Sequence, residues 1–153
     1  MANPRALLVE ISAAYHRTGT LLELALGDPE LAHDYALYGL LGRRGRQTPS
    51  QIATALGYAM STTVSRVNRL VSRGDATRVR NPRDGRSSLV ELTAQGRERW
   101  EHSLEAWERA ITAVRRHLPL TDEEATAVIG AVRDALEAAV EELLDAEAEL
   151  RAA

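Results

Sequence analysis

Apolar residues recur along most of the chain at spacings of three and four, the period of a helix with one buried face. Leu7, Leu8, Ile11, Ala14, Tyr15, Leu21 and Leu22 make a loose stripe of this kind over residues 5–26. Gly27-Asp28-Pro29 stops it, and a second helix is predicted from about Pro29 to Leu41. Thr48-Pro49-Ser50-Gln51 is a helix start: Thr48 can cap, Pro49 suits the first helical position, and Gln51 completes a capping box. The helix it opens, Ser50 to Leu56, is short and ends at Gly57. After a four-residue turn another helix runs from about Ser61 to Arg73. Met60, Val64, Val67, Leu70 and Val71 fall on one of its faces, and Ser61, Thr62, Ser65, Arg66, Arg69 and Ser72 on the other.

The period then changes. Ala76 to Arg80 and Ser87 to Leu92 are strand-like runs separated by Asn81-Pro82-Arg83-Asp84-Gly85-Arg86, the residue types a β-turn demands. A short helix, a tight turn, a second helix with a polar outer face and then a basic hairpin is a helix-turn-helix followed by a wing. The last third is helical again. Trp100, Leu104, Trp107, Ile111, Val114 and Leu118 make a heptad seam that Pro119 ends. A capping box at Thr121–Glu124 opens a final helix bearing Val128, Val132, Leu136, Val140, Leu143 and Leu150. Two such long helices can pack only on each other or on a partner chain.

The net charge of −3 argues against a polyanionic partner until it is mapped along the chain. Residues 42–86 hold ten arginines against two acids, a local +8, whereas residues 1–41 carry −3 and residues 87–153 carry −8. A basic module between acidic arms is the asymmetry of a phosphate-contacting surface, although an Arg-rich solvated face produces the same count.

Other chemistries find little support. The chain of 153 residues has no cysteine, which removes disulfides, thiol redox sensing and cysteine metal ligands. His16, His33, His102 and His117 are scattered, with no pair at metal-ligand spacing. No glycine-rich phosphate loop, nucleophile elbow or Ser/His/Asp set is visible, so neither an enzyme nor a metal or cofactor site is expected. The start, MANPRALLVE, lacks a basic region followed by a long apolar core, and no apolar run is long enough to span a membrane. A cytoplasmic protein is the default expectation.

From Tyr35 to Arg97, about two fifths of the chain, the sequence resembles the MarR family of bacterial transcriptional regulators. SQIATALG is similar to that family's first helix-turn-helix helix and STTVSRVNRLVSRG to its recognition helix. The most specific part is Asn81 to Thr93, which resembles the family's wing: Asp84-Gly85-Arg86, alternating apolar residues, then Leu92-Thr93 before a long helix. One departure is local: the residue after Gly74 is usually apolar in the family, and here it is Asp75.

The resemblance implies a mainly α protein with a small β-hairpin wing, a winged helix-turn-helix flanked by long dimerisation helices. Residues 1–34 would be the N-terminal dimerisation helix and the start of the second helix. Residues 35–93 would form the DNA-binding lobe, and residues 94–153 the C-terminal dimerisation helices. It also implies a homodimer, a repressor in the first instance or an activator, on a pseudo-palindromic double-stranded DNA operator. The competing readings are a winged helix that binds DNA without sequence preference and one that contacts protein.

Within that lobe, Ser61, Thr62, Ser65 and Arg66 lie where a recognition helix meets base edges. Arg66 is the candidate for a bidentate contact to guanine, with Arg69 beside it; the hydroxyls equally suit phosphate, capping or solvent. Arg86 would reach the minor groove. Asp84 would orient it through a charged hydrogen bond, or else cap the turn. Arg78, Arg80 and Arg83 suit phosphate. Regulators of this family commonly respond to a small aromatic ligand held between dimer helices and lobe. Tyr15, His16, Tyr35, Tyr38 and Trp100 are candidates to line such a site, with ordinary core as the competing role.

Overall fold

The computed structural model describes residues 4–152. Eight elements follow in order: α1 (Pro4–Leu26), α2 (Pro29–Arg44), α3 (Pro49–Leu56), α4 (Met60–Ser72), β1 (Ala76–Arg80), β2 (Ser88–Leu92), α5 (Ala94–His117) and α6 (Asp122–Ala152). The mainly α winged-helix architecture expected from the sequence is therefore present. Two compact units divide within α5, the first ending at Ile111 and the second beginning at Thr112.

The helix boundaries have local causes. Asp28 caps α2 by accepting the Leu31 backbone N–H at 3.0 Å, with Pro29 in the first turn. Thr48 and Gln51 complete the capping box of α3 in both directions, at 2.8 and 3.2 Å, and Gly57 ends the helix at φ +64°. The Thr121–Glu124 box opens α6 in the same way. Each such cap is worth about 1 kcal/mol.

The core of the first unit joins α2 (Leu31, Leu37, Tyr38, Leu40, Leu41), Ile52 of α3, Val67 and Leu70 of α4, and Ala76, Val90 and Leu92 of the hairpin. The hairpin is antiparallel, pairing Ala76 with Leu92, Arg78 with Val90 and Arg80 with Ser88. Gln47 extends it by exchanging backbone hydrogen bonds with Val90 at 2.8 and 3.0 Å, a third short rung absent from the periodicity because a single residue makes it.

Two helical phases differ from the apolar stripes read in the sequence. In α4 the inward residues are Thr63, Val67 and Leu70, while Met60, Val64 and Val71 are substantially exposed. Thr63 can turn inward because its hydroxyl donates to the Ala59 carbonyl at 3.2 Å. In α5 the small residues Gly96, Ser103, Ala106 and Ala110 are buried, and Leu104 of the heptad seam is exposed. α6 is exposed along almost its whole length, and its exposed apolar residues Val128, Ile129, Val140, Leu143, Leu144 and Leu150 stand among exposed charged ones. Among the described residues no helix is long and apolar enough to cross a membrane.

Candidate nucleic-acid interface

Since Thr63, Val67 and Leu70 point inward, the opposite face of α4 stands open. Ser61, Thr62, Val64, Ser65, Asn68 and Arg69 are all exposed on it. A shallow groove of about 710 Å³ runs along this face, lined by Met60, Ser61, Val64, Ser65, Asn68, Arg69 and Ser72. β1 joins the same surface, because Arg78 Nη2 donates to Asn68 Oδ1 at 2.7 Å. Val64 and Asn68 were not singled out in the sequence, where the stripe assignment put Val64 inside; the true phase follows once Thr63 is recognised as a buried position.

The wing tip is built by local hydrogen bonds. Asn81 Oδ1 accepts the Arg83 backbone N–H and Asp84 Oδ1 accepts that of Arg86, both at 3.0 Å. Asp84 thus meets the backbone of Arg86 and shapes the turn; it makes no side-chain pair with the Arg86 guanidinium. Among the described residues Arg78, Arg80, Arg83 and Arg86 form no ion pair with an acid.

The arginines of α4 and of its C-terminal cap, Arg73, are placed differently. Asp34 of α2 is fully buried, and its Oδ1 accepts from Arg66 Nη1 at 3.0 Å and Arg69 Nη2 at 3.1 Å, while Oδ2 accepts from Arg73 Nη2 at 2.9 Å. Arg66 also donates to the His33 carbonyl at 2.5 Å and lies 4.9 Å over the Tyr58 ring, leaving its side chain only 12% exposed. Its guanidinium is held toward α2 and does not line that groove, although it borders a smaller one of about 300 Å³ with His33, Ser61, Thr62, Ser65 and Arg69. A buried carboxylate is expensive unless cations and donors surround it, and the nearest cations are these arginines. The sequence carried a signal for this, since Asp34 falls on the inward stripe of α2 between Leu31 and Tyr38.

A second buried acid, Asp75, stands at the junction of α4 and β1. It accepts from the Tyr38 hydroxyl at 2.6 Å, Arg99 Nη1 at 2.8 Å and Gln95 Nε2 at 3.1 Å. Arg99 also binds Asp28, the cap of α2. Burial pushes the Tyr38 phenol well above its ordinary range, and the hydrogen bond and charge of Asp75 push it further. For Arg99, burial works against the charged form, but the bond to Asp28 and the neighbouring Tyr38 and Asp75 outweigh it and raise its pKa.

Tyr15, His16 and Tyr35 line one cavity of about 480 Å³, together with Tyr58, Arg66 and Trp107. Tyr35 stacks on Trp107 with ring centroids 4.6 Å apart. Tyr38 and Trp100, expected beside them, are elsewhere. Tyr38 is fully buried with its hydroxyl committed to Asp75. Trp100 packs on Gly42, where an added Cβ would lie 2.5 Å from its ring. Among the described residues no cluster of three or more His, Cys, Asp or Glu is arranged to hold a metal ion.

Comparison with known proteins bears on this arrangement. Residues 35–87, which hold α3, α4, β1 and the wing tip, match the MarR family. Over this segment the chain is similar to MarR-family regulators. Outside it the likeness is one of fold. Mutant MarR from E. coli, solved in complex with operator DNA, superposes with a TM-score of 0.70 at 20% identity, over 88% of this chain and 99% of that one. BpsR of Bordetella bronchiseptica, described for the regulation of its DNA binding by 6-hydroxynicotinic acid, gives 0.69 at 22% identity, over 84% and 97%. Reduced AbfR bound to DNA gives 0.68 at 19% identity, over 89% and 93%. No curated protein sequence matches the chain. The matched segment contains α4 and the turn at residues 81–87.

Proposed function

We propose that this protein is a homodimeric transcriptional regulator that reads double-stranded DNA with α4 and its wing and acts, in the first instance, as a repressor. The observation that carries the reading is one continuous surface. The open face of α4, the Asn68–Arg78 bond and the unpaired arginines of the wing adjoin one another. Ser61, Ser65 and Asn68 supply donors and acceptors for base edges in the major groove, and Val64 suits a thymine methyl group. Thr62 and Arg69, at the edge of that face, suit phosphate, as do Arg78, Arg80 and Arg83. Arg66, held against Asp34, supports the helix in this reading more than it reads a base. Arg86, presented by the turn that Asp84 shapes, reaches the minor groove.

Dimerisation would involve α1, α5 and α6, within residues 1–34 and 94–153. Its support is the apolar side chains that a single chain leaves exposed on each: Leu7, Leu8, Val9 and Leu24 on α1, and Val128, Ile129, Val140, Leu143, Leu144 and Leu150 on α6. Two-fold symmetry then calls for a pseudo-palindromic operator with half-sites about 10 base pairs apart. The aromatic cavity beside Arg66 suits a small aromatic ligand, the class named for BpsR. Such a regulator works where the DNA is, in the cytoplasm.

Selection of bound duplexes from a random pool by the full-length protein tests this function. The expected product is an inverted repeat bound at least a thousandfold more tightly than random DNA. Tight binding without enrichment would instead assign a DNA-binding protein without sequence preference.

A further inference from the structure

Asp75 immediately precedes β1 at a position with no exposure, and around it the start of α5 closes on the end of α4. The Thr93 backbone N–H donates to the Asp75 carbonyl at 3.0 Å and the Thr93 hydroxyl to the Gly74 carbonyl at 2.6 Å. Gln95 Nε2 donates to the Arg73 carbonyl at 3.1 Å. Gly96 is pressed so closely on the same junction that an added Cβ would lie 1.9 Å from the Asp75 carbonyl oxygen. One turn further on, Arg99 spans two acids, Asp75 on one side and the α2 cap Asp28 on the other. A single guanidinium therefore ties α5 to both the wing base and the start of α2.

We propose that Asp75 and Arg99 form a polar latch that fixes the direction in which α5 leaves the lobe, which makes them positioning residues for half-site spacing. This rests on the proposed DNA-binding dimer. An apolar residue at position 75 would fill the same space without a preferred azimuth, whereas a carboxylate between a phenol, an amide and a guanidinium has directional bonds on several sides. Buried ion pairs contribute little net stability against well-packed apolar isosteres, so their best-attested use is to select one geometry. The lever is long enough to matter. Arg99 to Ile111 spans about 18 Å at 1.5 Å per residue. A tilt of about 10° at the latch thus moves one end by roughly 3 Å, close to the 3.4 Å rise of one base pair.

The test uses the full chain and a set of inverted repeats whose half-site spacing is changed by one or two base pairs, beside a single half-site. Wild-type protein should lose about tenfold in affinity for each altered spacing, the size of one mismatched pair. The Asp75→Leu/Arg99→Met double variant, shown folded by circular dichroism, should bind the single half-site as wild type does. Across the altered spacings its affinity should vary less than about threefold. If the double variant does not fold, Asp75→Asn is read in the same way, since it keeps the side-chain volume and an acceptor while removing the charge. A folded variant with the wild-type spacing profile overturns the latch. Wild-type protein indifferent to spacing, yet enriching one half-site, overturns the latch alone; indifference to sequence as well overturns the operator reading with it.

Discussion

Arginines of α4 and arginines of the wing are the same residue in the same basic segment, yet the fold puts them to opposite uses. Arg66, Arg69 and Arg73 converge on one buried carboxylate, Asp34. Arg80, Arg83 and Arg86 surround a turn in which the Asn81 and Asp84 side chains accept backbone N–H groups, and they meet no acid among the described residues. A local charge count reads both groups as phosphate-binding. Pairing separates them: Arg66 and Arg73 offset a desolvated anion inside the lobe, Arg69 joins them from the exposed edge of α4, and the wing group meets no acid and remains available to an anion outside. Charge that is already paired at short range contributes little to attraction at long range.

The largest effect that would break this comparison is expected at Asp34. Asp34→Ala leaves the Arg66 guanidinium largely buried without its counter-ion, takes from Arg73 one of the acids it meets beside Glu30 and Asp75, and should cost about 3 kcal/mol or more in denaturant-induced unfolding. Loss of under about 0.5 kcal/mol, the range of ordinary surface changes, would place Asp34 outside any structural role. Arg86→Ala sharpens the other side. It should leave unfolding within about 0.5 kcal/mol of wild type while weakening duplex binding several-fold, measured by fluorescence anisotropy.

Asp84→Ala is smaller and its sign is informative. Coulomb repulsion alone predicts tighter DNA binding when a negative charge leaves the wing. Loss of the hydrogen bond to the Arg86 N–H instead loosens the turn, at about 1 kcal/mol, and should weaken binding. The smallest effect concerns acid. Burial raises the Asp28 pKa, but the Leu31 N–H and Arg99 outweigh it and hold the carboxyl below its ordinary 3.8. A lowered folded pKa means that its stability contribution is complete above that ordinary value and is lost as pH falls through the lowered one. Arg99→Met should therefore flatten the pH dependence of unfolding in that window, and an unchanged profile would remove Arg99 as the cause.

How much of this was legible before folding depended on whether a signal was local. Capping boxes at Thr48 and Thr121 and the glycine stop at Gly57 appear where the residues predict them, because each is closed within a few positions. The hairpin followed from its turn residues. The phase of α4 did not, because Thr63 is polar by type yet buried with its hydroxyl satisfied inside its own helix. The acid hubs were the deepest miss: Asp34 meets Arg66 across 32 positions and Asp75 meets Tyr38 across 37. No window of periodicity reaches that far. Asp75 was visible only as a polar residue where the resembling family places an apolar one, and its partners supply the reason. The aromatic cavity was half legible, since Tyr15, His16 and Tyr35 converge while Tyr38 and Trp100 belong to the packing beneath.

The central claim is that DNA meets the unpaired wing arginines and the open face of α4, while Arg66, held between Asp34 and the His33 carbonyl, serves the fold. The slope of log affinity against log salt, measured on one selected duplex for wild type, Arg86→Ala and Arg66→Ala, tests it directly. Each bound cation that displaces condensed counterions, at a phosphate or in the minor groove, contributes about one unit to that slope. The slope should fall by about one for Arg86→Ala and stay at the wild-type value for folded Arg66→Ala. A slope that falls for Arg66→Ala and not for Arg86→Ala would contradict the assignment of paired and unpaired arginines.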